Sequence, residues 1–458
     1  MSEDQHVDLV VLGLGPGGES VATEAAQAGM TVVGVEERLV GGECPYFGCI
    51  PSKMMIRAAN TLAEARRVGS LAGSAEASPD FSVVARRIRD EATTDWDDAS
   101  AVERLEKAGV RFVRGRARLA GEGVVEVGGI RYVASVGVVL NTGTSPAAPP
   151  VDGLAGTGYW TNRDALKATE APASLVVMGG GAIGAELAQA FARFGSRVSL
   201  VEMAPRILGL EEPEASEVVA RSFAQDGIQV LAGASVSAVA ESDGRFEVSV
   251  TDSGGSDLVL DADRLLVAAG RRPNISDIGL ESVGLDPSAR TVEVDERMRA
   301  GEKLWAIGDI TGKGAFTHMS MYQAGIAVRD LTGTDGPWAQ YHAVPRVTYT
   351  DPEVGAVGMT EQQARDAEVD VRVGTTNALG TRGWIHGSGG EGLVKVVEDV
   401  ASGHLVGATS VGPTGGEVLS MLATAVHGRV PTAVLREQVL AYPTFHRAVS
   451  DALADLDG

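Results

Sequence analysis

Val7-Asp8-Leu9-Val10-Val11-Leu12-Gly13-Leu14-Gly15-Pro16-Gly17-Gly18 follows a short polar start. Its first half is almost wholly apolar and reads as a buried strand, the glycines read as a tight turn, and 19–28 reads as a helix closed by Gly29. A second strand over 31–35 ends in Glu36, eighteen residues beyond Gly18. This is a βαβ dinucleotide fingerprint. Gly13 makes the turn, Gly15 admits a pyrophosphate to the backbone with Pro16 and Gly17 completing the loop, and Gly18 lets helix and strand pack closely. The helix N-terminus offers free N–H groups to phosphate, and Glu36 can accept hydrogen bonds from ribose hydroxyls.

The pattern returns as an apolar run over 175–178, then Gly179-Gly180-Gly181-Ala182-Ile183-Gly184, a helix to 194, Gly195, and a strand over 198–201 ending at Glu202. Glu202 again lies eighteen residues past the last glycine of the turn. Two strand-flanked copies with the acid at one distance imply an α/β chain with two Rossmann-like dinucleotide-binding domains. Gly179, Gly181, Ile183, Gly184 and Glu202 mark the second site. A carboxylate at that strand end favours a free ribose 2′-OH and repels a 2′-phosphate, so Glu202 predicts NAD(H) over NADP(H). Arg206, close by, argues the other way.

Between the copies lie the only two cysteines among 458 residues, in Gly41-Gly42-Glu43-Cys44-Pro45-Tyr46-Phe47-Gly48-Cys49-Ile50-Pro51-Ser52-Lys53. Regular helix would hold them about 140° apart, but Pro45 and Gly48 can loosen the backbone and bring the sulfurs together. A disulfide over so short a loop is a poor structural staple, and two thiolates without a nearby His make an incomplete zinc site. Redox chemistry and two unrelated buried cysteines remain as readings, and redox chemistry fits the neighbouring motifs better.

A net charge of −22, without any long basic run, excludes duplex nucleic acid and anionic membrane as expected partners. The first apolar run cannot span a bilayer and no leader is visible, so a cytoplasmic location is expected. In that reducing compartment a retained disulfide-capable pair is catalytic or sensory more often than structural.

Taken together, the motifs resemble the class I pyridine nucleotide-disulfide oxidoreductases, the group that includes dihydrolipoamide dehydrogenase, glutathione reductase and mercuric reductase. Gly-Gly-x-Cys-x4-Cys-Ile-Pro-Ser-Lys at 41–53 is the specific centre of the resemblance. Leu140-Asn141-Thr142-Gly143, Ala269-Gly270-Arg271-Arg272-Pro273-Asn274, Leu304-Trp305-Ala306-Ile307-Gly308-Asp309 and Thr348-Tyr349-Thr350-Asp351-Pro352-Glu353 follow in family order. The resemblance implies FAD bound by 1–145 and 271–335, NAD(P) bound by 146–270, and a C-terminal α+β dimerisation domain at 342–458, hence a homodimer. Pro149-Pro150 and the stretch 332–338 read as linkers. It assigns Gly42, Lys53, Thr142, Gly143 and Asp309 to FAD and Gly270 to NAD. It makes Cys49 the thiol beside the flavin, Cys44 the one that attacks a small-molecule substrate, and Glu186 the partner of Lys53.

The chain departs from the family at its C-terminus. Where disulfide reductases carry His-Pro-x3-Glu, it reads Tyr442-Pro443-Thr444-Phe445-His446-Arg447. Histidine cycles a proton near neutrality, whereas a phenol ionises only near about 10. Tyr442 thus stands in for the acid-base residue, and His446 is a second candidate at a different motif position. The leading expectation is an FAD enzyme passing electrons from NADH through the Cys44–Cys49 pair to a small disulfide or thiol-reactive substrate. The alternatives are a flavin diaphorase, quinone reductase or transhydrogenase-like enzyme with a regulatory disulfide, and an FAD-retaining redox sensor.

Overall fold

The apolar run at the start of the chain forms the strand Gln5–Leu12, buried over its last four residues, in a computed structural model that describes residues 4–377, 379–387 and 391–457. Apolar side chains on both faces suit a strand covered on both sides, the usual state of a parallel sheet. It pairs in parallel with Val32–Glu36 and Ile130–Leu140, and the sheet continues to Val110–Arg114 on one side and Leu304–Ala306 on the other. Register aligns the strand ends, with Leu12 opposite Leu140 and Leu140 opposite Ala306. The chain therefore leaves the sheet at Gly13, Asn141 and Ile307 along one edge, which brings three motifs distant in sequence to one place. The first helix starts at Pro16 rather than Glu19, because the fixed φ of proline suits the first helical position.

The second fingerprint builds a four-stranded parallel sheet from Gln229–Ala232, Arg197–Glu202, Ser174–Met178 and Arg264–Val267. Strands Ser235–Ser242, Arg245–Thr251 and Asp257–Ala262 form an antiparallel meander whose apolar face shares a core with it. In the C-terminal region five antiparallel strands, from Pro345–Thr348 to His404–Gly412, share a core with helices Gly415–His427 and Arg447–Asp455.

Two compact units result, one of Met1–Pro51, Arg87–Ala147 and Arg271–Gln340, the other of Ser52–Arg86, Ala148–Gly270 and Tyr341–Gly458. The stretch 52–86 thus groups with the second unit, although its sequence position suggests the first. Helix Cys49–Leu71 begins in one unit and continues into the other. Beyond it, Phe81 stacks on Phe191 at 5.4 Å and meets Phe194 edge-on at 5.1 Å, contacts worth about 1 kcal/mol each beyond their buried area. Among the described residues no helix is long and apolar enough to cross a membrane.

Candidate active site

In the first unit, Gly13 adopts φ 89°, and a Cβ on it would lie 2.3 Å from the carbonyl oxygen of Asn141. A Cβ on Gly18 would lie 2.0 Å from the Gly13 oxygen. Only glycine permits both approaches. Across the turn, a Cβ on Gly42 would lie 3.0 Å from the Gly15 Cα, and one on Gly17 2.3 Å from Ser320 Oγ. No side chain caps the helix that Pro16 opens, so its first-turn amides remain for an anion. Glu36 accepts hydrogen bonds from the Leu14 and Arg38 N–H groups at 2.9 and 2.8 Å, while burial pushes its carboxyl pKa upward. The Thr142 hydroxyl is buried without a partner. An orphaned hydroxyl, an uncapped helix and a cradle that any Cβ would fill together fit FAD.

Gly48 ends the short helix Glu43–Phe47 with φ −132° and ψ −119°, and a new helix starts at Cys49. The break removes the angular separation that one continuous helix would impose on the cysteines. Both are free thiols, Cys44 half-buried and Cys49 exposed, and they hydrogen-bond each other. The Thr317 hydroxyl lies within hydrogen-bonding reach of Cys44 and 3.4 Å from Cys49 Sγ. The bond to Cys49, followed by burial, holds the Cys44 thiol far above the usual thiol range, with Thr317 opposing both.

Asp309 accepts a hydrogen bond from the Thr144 hydroxyl at 2.7 Å. Arg271 donates to that hydroxyl at 2.7 Å and to the Thr144 carbonyl at 2.9 Å, and pairs with Glu43 at 3.4 Å. A polar chain thus links the residue before Cys44 to Asp309. Gly143, at φ 65°, is tied to the Asn274 N–H at 2.9 Å. Thr317, Thr144 and Glu43 escape the sequence reading, because hydroxyls and single acids carry no spacing signal; adjacency to Cys44 was the one cue for Glu43.

The second unit repeats the cradle. Gly179 has φ 108° with its Cβ position 2.5 Å from the Ala268 oxygen, and a Cβ on Gly184 would lie 1.9 Å from the Gly179 oxygen. Glu202 accepts from the Gly180 and Ala204 N–H groups at 2.6 and 2.7 Å. Gly181 and Gly270 face open space, and Ile183 is half-buried. Arg206 turns back on its own loop and donates to the carbonyls of Gly209 and Glu211 at 3.1 and 2.7 Å. Lys53 and Glu186 form an ion pair at 2.7 Å. The same carboxylate accepts the Tyr349 N–H at 2.8 Å, and Lys53 Nζ sits 4.6 Å above the Tyr349 ring centroid.

Tyr442 is 69% exposed, with its hydroxyl 3.4 Å from Thr381 Oγ1. It shares a small cavity with Arg447, whereas His446 occupies the N-cap of helix Arg447–Asp455 and does not line that cavity.

The pyridine nucleotide-disulphide oxidoreductase family matches residues 7–325, and its dimerisation domain matches 344–453. A dihydrolipoyl dehydrogenase of Chlorobaculum tepidum is 33% identical over 98% of this chain and 96% of that protein. A mercuric reductase of Acidithiobacillus ferrooxidans is 33% identical over 97% of this chain and 81% of its own length. Among solved structures, LpdA from Mycobacterium tuberculosis is similar with a TM-score of 0.85 at 25% identity, and the flavoprotein disulfide reductase RclA from Escherichia coli with 0.84 at 25%; each alignment covers 99% of both chains. Family, dimerisation domain and two nucleotide cradles agree, and this chain belongs to the pyridine nucleotide-disulphide oxidoreductases, flavoprotein enzymes that use FAD and a pyridine nucleotide.

Proposed function

We propose that the enzyme oxidises NADH and reduces a small disulfide or thiol-reactive electrophile through Cys44 and Cys49. The observation that carries this reading is the pair of free thiols on either side of the helix break at Gly48, with the Thr317 hydroxyl 3.4 Å from Cys49 Sγ. The Gly13, Gly15 and Gly18 cradle with Thr142 would hold FAD, which would supply two-electron transfer between NADH and the disulfide, and Cys44 and Cys49 would take up two protons as they become the dithiol. Cys44 then attacks the acceptor, and Cys49 closes the disulfide again as the acceptor leaves reduced. Glu43, held by Arg271, anchors the start of the Cys44 helix. Lys53, which the resemblance assigns to FAD, is held by the Glu186 carboxylate and the Tyr349 ring.

NADH is the proposed donor because the Glu202 carboxylate ends the second strand of its cradle, where it favours a free ribose 2′-OH and repels a 2′-phosphate. Arg206 commits one guanidinium nitrogen to the Gly209 and Glu211 carbonyls, and its Nε has no partner.

The high pKa of Cys44 has a kinetic consequence. Its proton must leave before attack, and Tyr442 stands where the family places a histidine. The rate of disulfide reduction should therefore rise by about tenfold per pH unit from 6 to 9, following the thiolate fraction. Tyr442→His should raise the rate near neutrality and flatten that slope. Anaerobic NADH titration is the direct test of the dithiol. Uptake of four electrons per flavin with a long-wavelength thiolate-to-flavin band is expected, with loss of the two extra electrons in both Cys44→Ser and Cys49→Ser and loss of the band in Cys49→Ser. Uptake of only two electrons, or quinone reduction untouched by Cys44→Ser with no disulfide turnover, would favour a diaphorase.

A further inference from the structure

The two residues that break the family pattern share a cavity. Tyr442 and Arg447 line a space of about 150 Å³ with Thr381, Arg382, Thr444 and Asp451. Neither arginine forms an ion pair among the described residues: Arg447 is exposed, and the Arg382 guanidinium lies over the Phe445 ring at 5.4 Å. Asp451 lines the same space without an ion pair to either, so the cavity carries an excess of one positive charge. That is unusual in a chain with 61 acidic and 39 basic residues. A solvated surface arginine needs no ligand, but here two planar guanidiniums line one space with a phenol that donates to Thr381, which leaves the Thr381 hydroxyl proton for a ligand, while the Thr444 hydroxyl donates to the Ala441 carbonyl at 2.8 Å. Guanidinium forks match carboxylate and phosphate oxygens in pairs, and a hydroxyl completes the shell.

We propose that this cavity binds the oxyanion, carboxylate or phosphate, of a small ligand. Replacing His by Tyr and Glu by Arg then exchanges a proton-handling pair for an anion-binding one. That the anion is part of the electron acceptor rests on the function proposed above; the anion site itself does not.

The test is calorimetric titration of the FAD-loaded enzyme, saturated with NAD⁺ to cover the dinucleotide phosphates, with inorganic phosphate and with succinate at constant ionic strength. One saturable site per chain is expected, with the tighter probe identifying the source of the oxyanion. Binding should weaken at least tenfold in Arg447→Gln and Arg382→Gln, and less in Arg447→Lys. If Arg382→Gln misfolds through its packing on Phe445, the exposed Arg447 still decides the matter. No saturable binding, or binding unchanged in the Arg447 variants, overturns the site.

The acceptor role is read by comparing the dianionic 5,5′-dithiobis(2-nitrobenzoate) with uncharged 4,4′-dithiodipyridine. A lower KM for the dianion that rises at least tenfold in Arg447→Gln, at unchanged kcat, is expected. Equal KM values in wild type and variant would remove the acceptor role. Anion binding without reduction of either disulfide would sink the proposed function and leave the site. Reduction of both without anion binding would do the reverse.

Discussion

The two nucleotide cradles share a backbone and differ in their side chains. In both, the first glycine has positive φ, the last packs under it, and the strand-end glutamate accepts two backbone N–H groups. Around the first cradle, however, stand Asn141 and Thr142, where the second has Ala268 and Ala269. Asn141 donates to the Gly13 carbonyl at 3.3 Å and accepts from Ser320 at 3.2 Å, and Gly42 closes over Gly15. Gly181 and Ala182 are exposed, whereas Gly15 and Pro16 are half-buried. On the proposed reading, the polar, enclosed cradle retains a resident cofactor and the open one exchanges its nucleotide at every turnover.

The largest expected effects separate the two sites. In Gly18→Ala the added Cβ meets the backbone oxygen of Gly13, so the protein should purify colourless, with FAD content reduced at least a hundredfold. Gly184→Ala should purify yellow and resist reduction by NADH, because the same clash falls in the other cradle. Flavin loss in both, measured by absorbance, would break the division of labour.

Glu19 is the next difference, since Ala185 holds the equivalent place in the second turn. Burial pushes the Glu19 carboxyl to about 7, opposed by Arg104 at 3.8 Å and reinforced by Glu36. A raised carboxyl pKa means that folding favours the protonated form. This contribution is complete below about 4.5, declines as pH rises to 7, and is absent above. Ionised Glu19 should therefore cost the apo-protein about 3 kcal/mol at pH 8. Glu19→Gln should recover much of this in urea denaturation at pH 8 and almost none at pH 4; equal gains at both pH values would refute the assignment.

Glu202→Ala should raise the KM for NADH about tenfold with smaller change for NADPH, read from the ratio of kcat/KM values, while FAD content stays constant. An unchanged ratio would remove Glu202 from nucleotide selection. The smallest effect belongs to Thr142→Val. Loss of one hydroxyl should weaken FAD binding by about 1 kcal/mol, measured by fluorescence during FAD titration of the apo-protein. Tighter binding would mean that the orphaned hydroxyl meets no ligand atom.

How far each cradle was legible in sequence follows from the kind of constraint. Glycine turns announce themselves because sterics exclude every other residue, and the acids because strand length fixes their spacing. Lys53 and Glu186, brought together at 2.7 Å, were foreseen only through family resemblance, since nothing local couples residues so far apart. Asn141, Thr144 and Thr317 were silent as site residues, because a hydroxyl or amide becomes functional only when the fold places something beside it.

The sequence by itself determined two Rossmann-like units, their order and the isolated cysteine pair, all properties of local sterics and composition, and through the family resemblance it showed Tyr442 and Arg447 in place of the His-Glu motif. Tertiary structure alone decided two further things. Aligned strand ends bring Gly13, Asn141 and Ile307 to one sheet edge. Arg447 and Tyr442 meet Arg382 in one cavity. Each depends on register or on packing between segments far apart in the chain, and those distances are set only when the cores close.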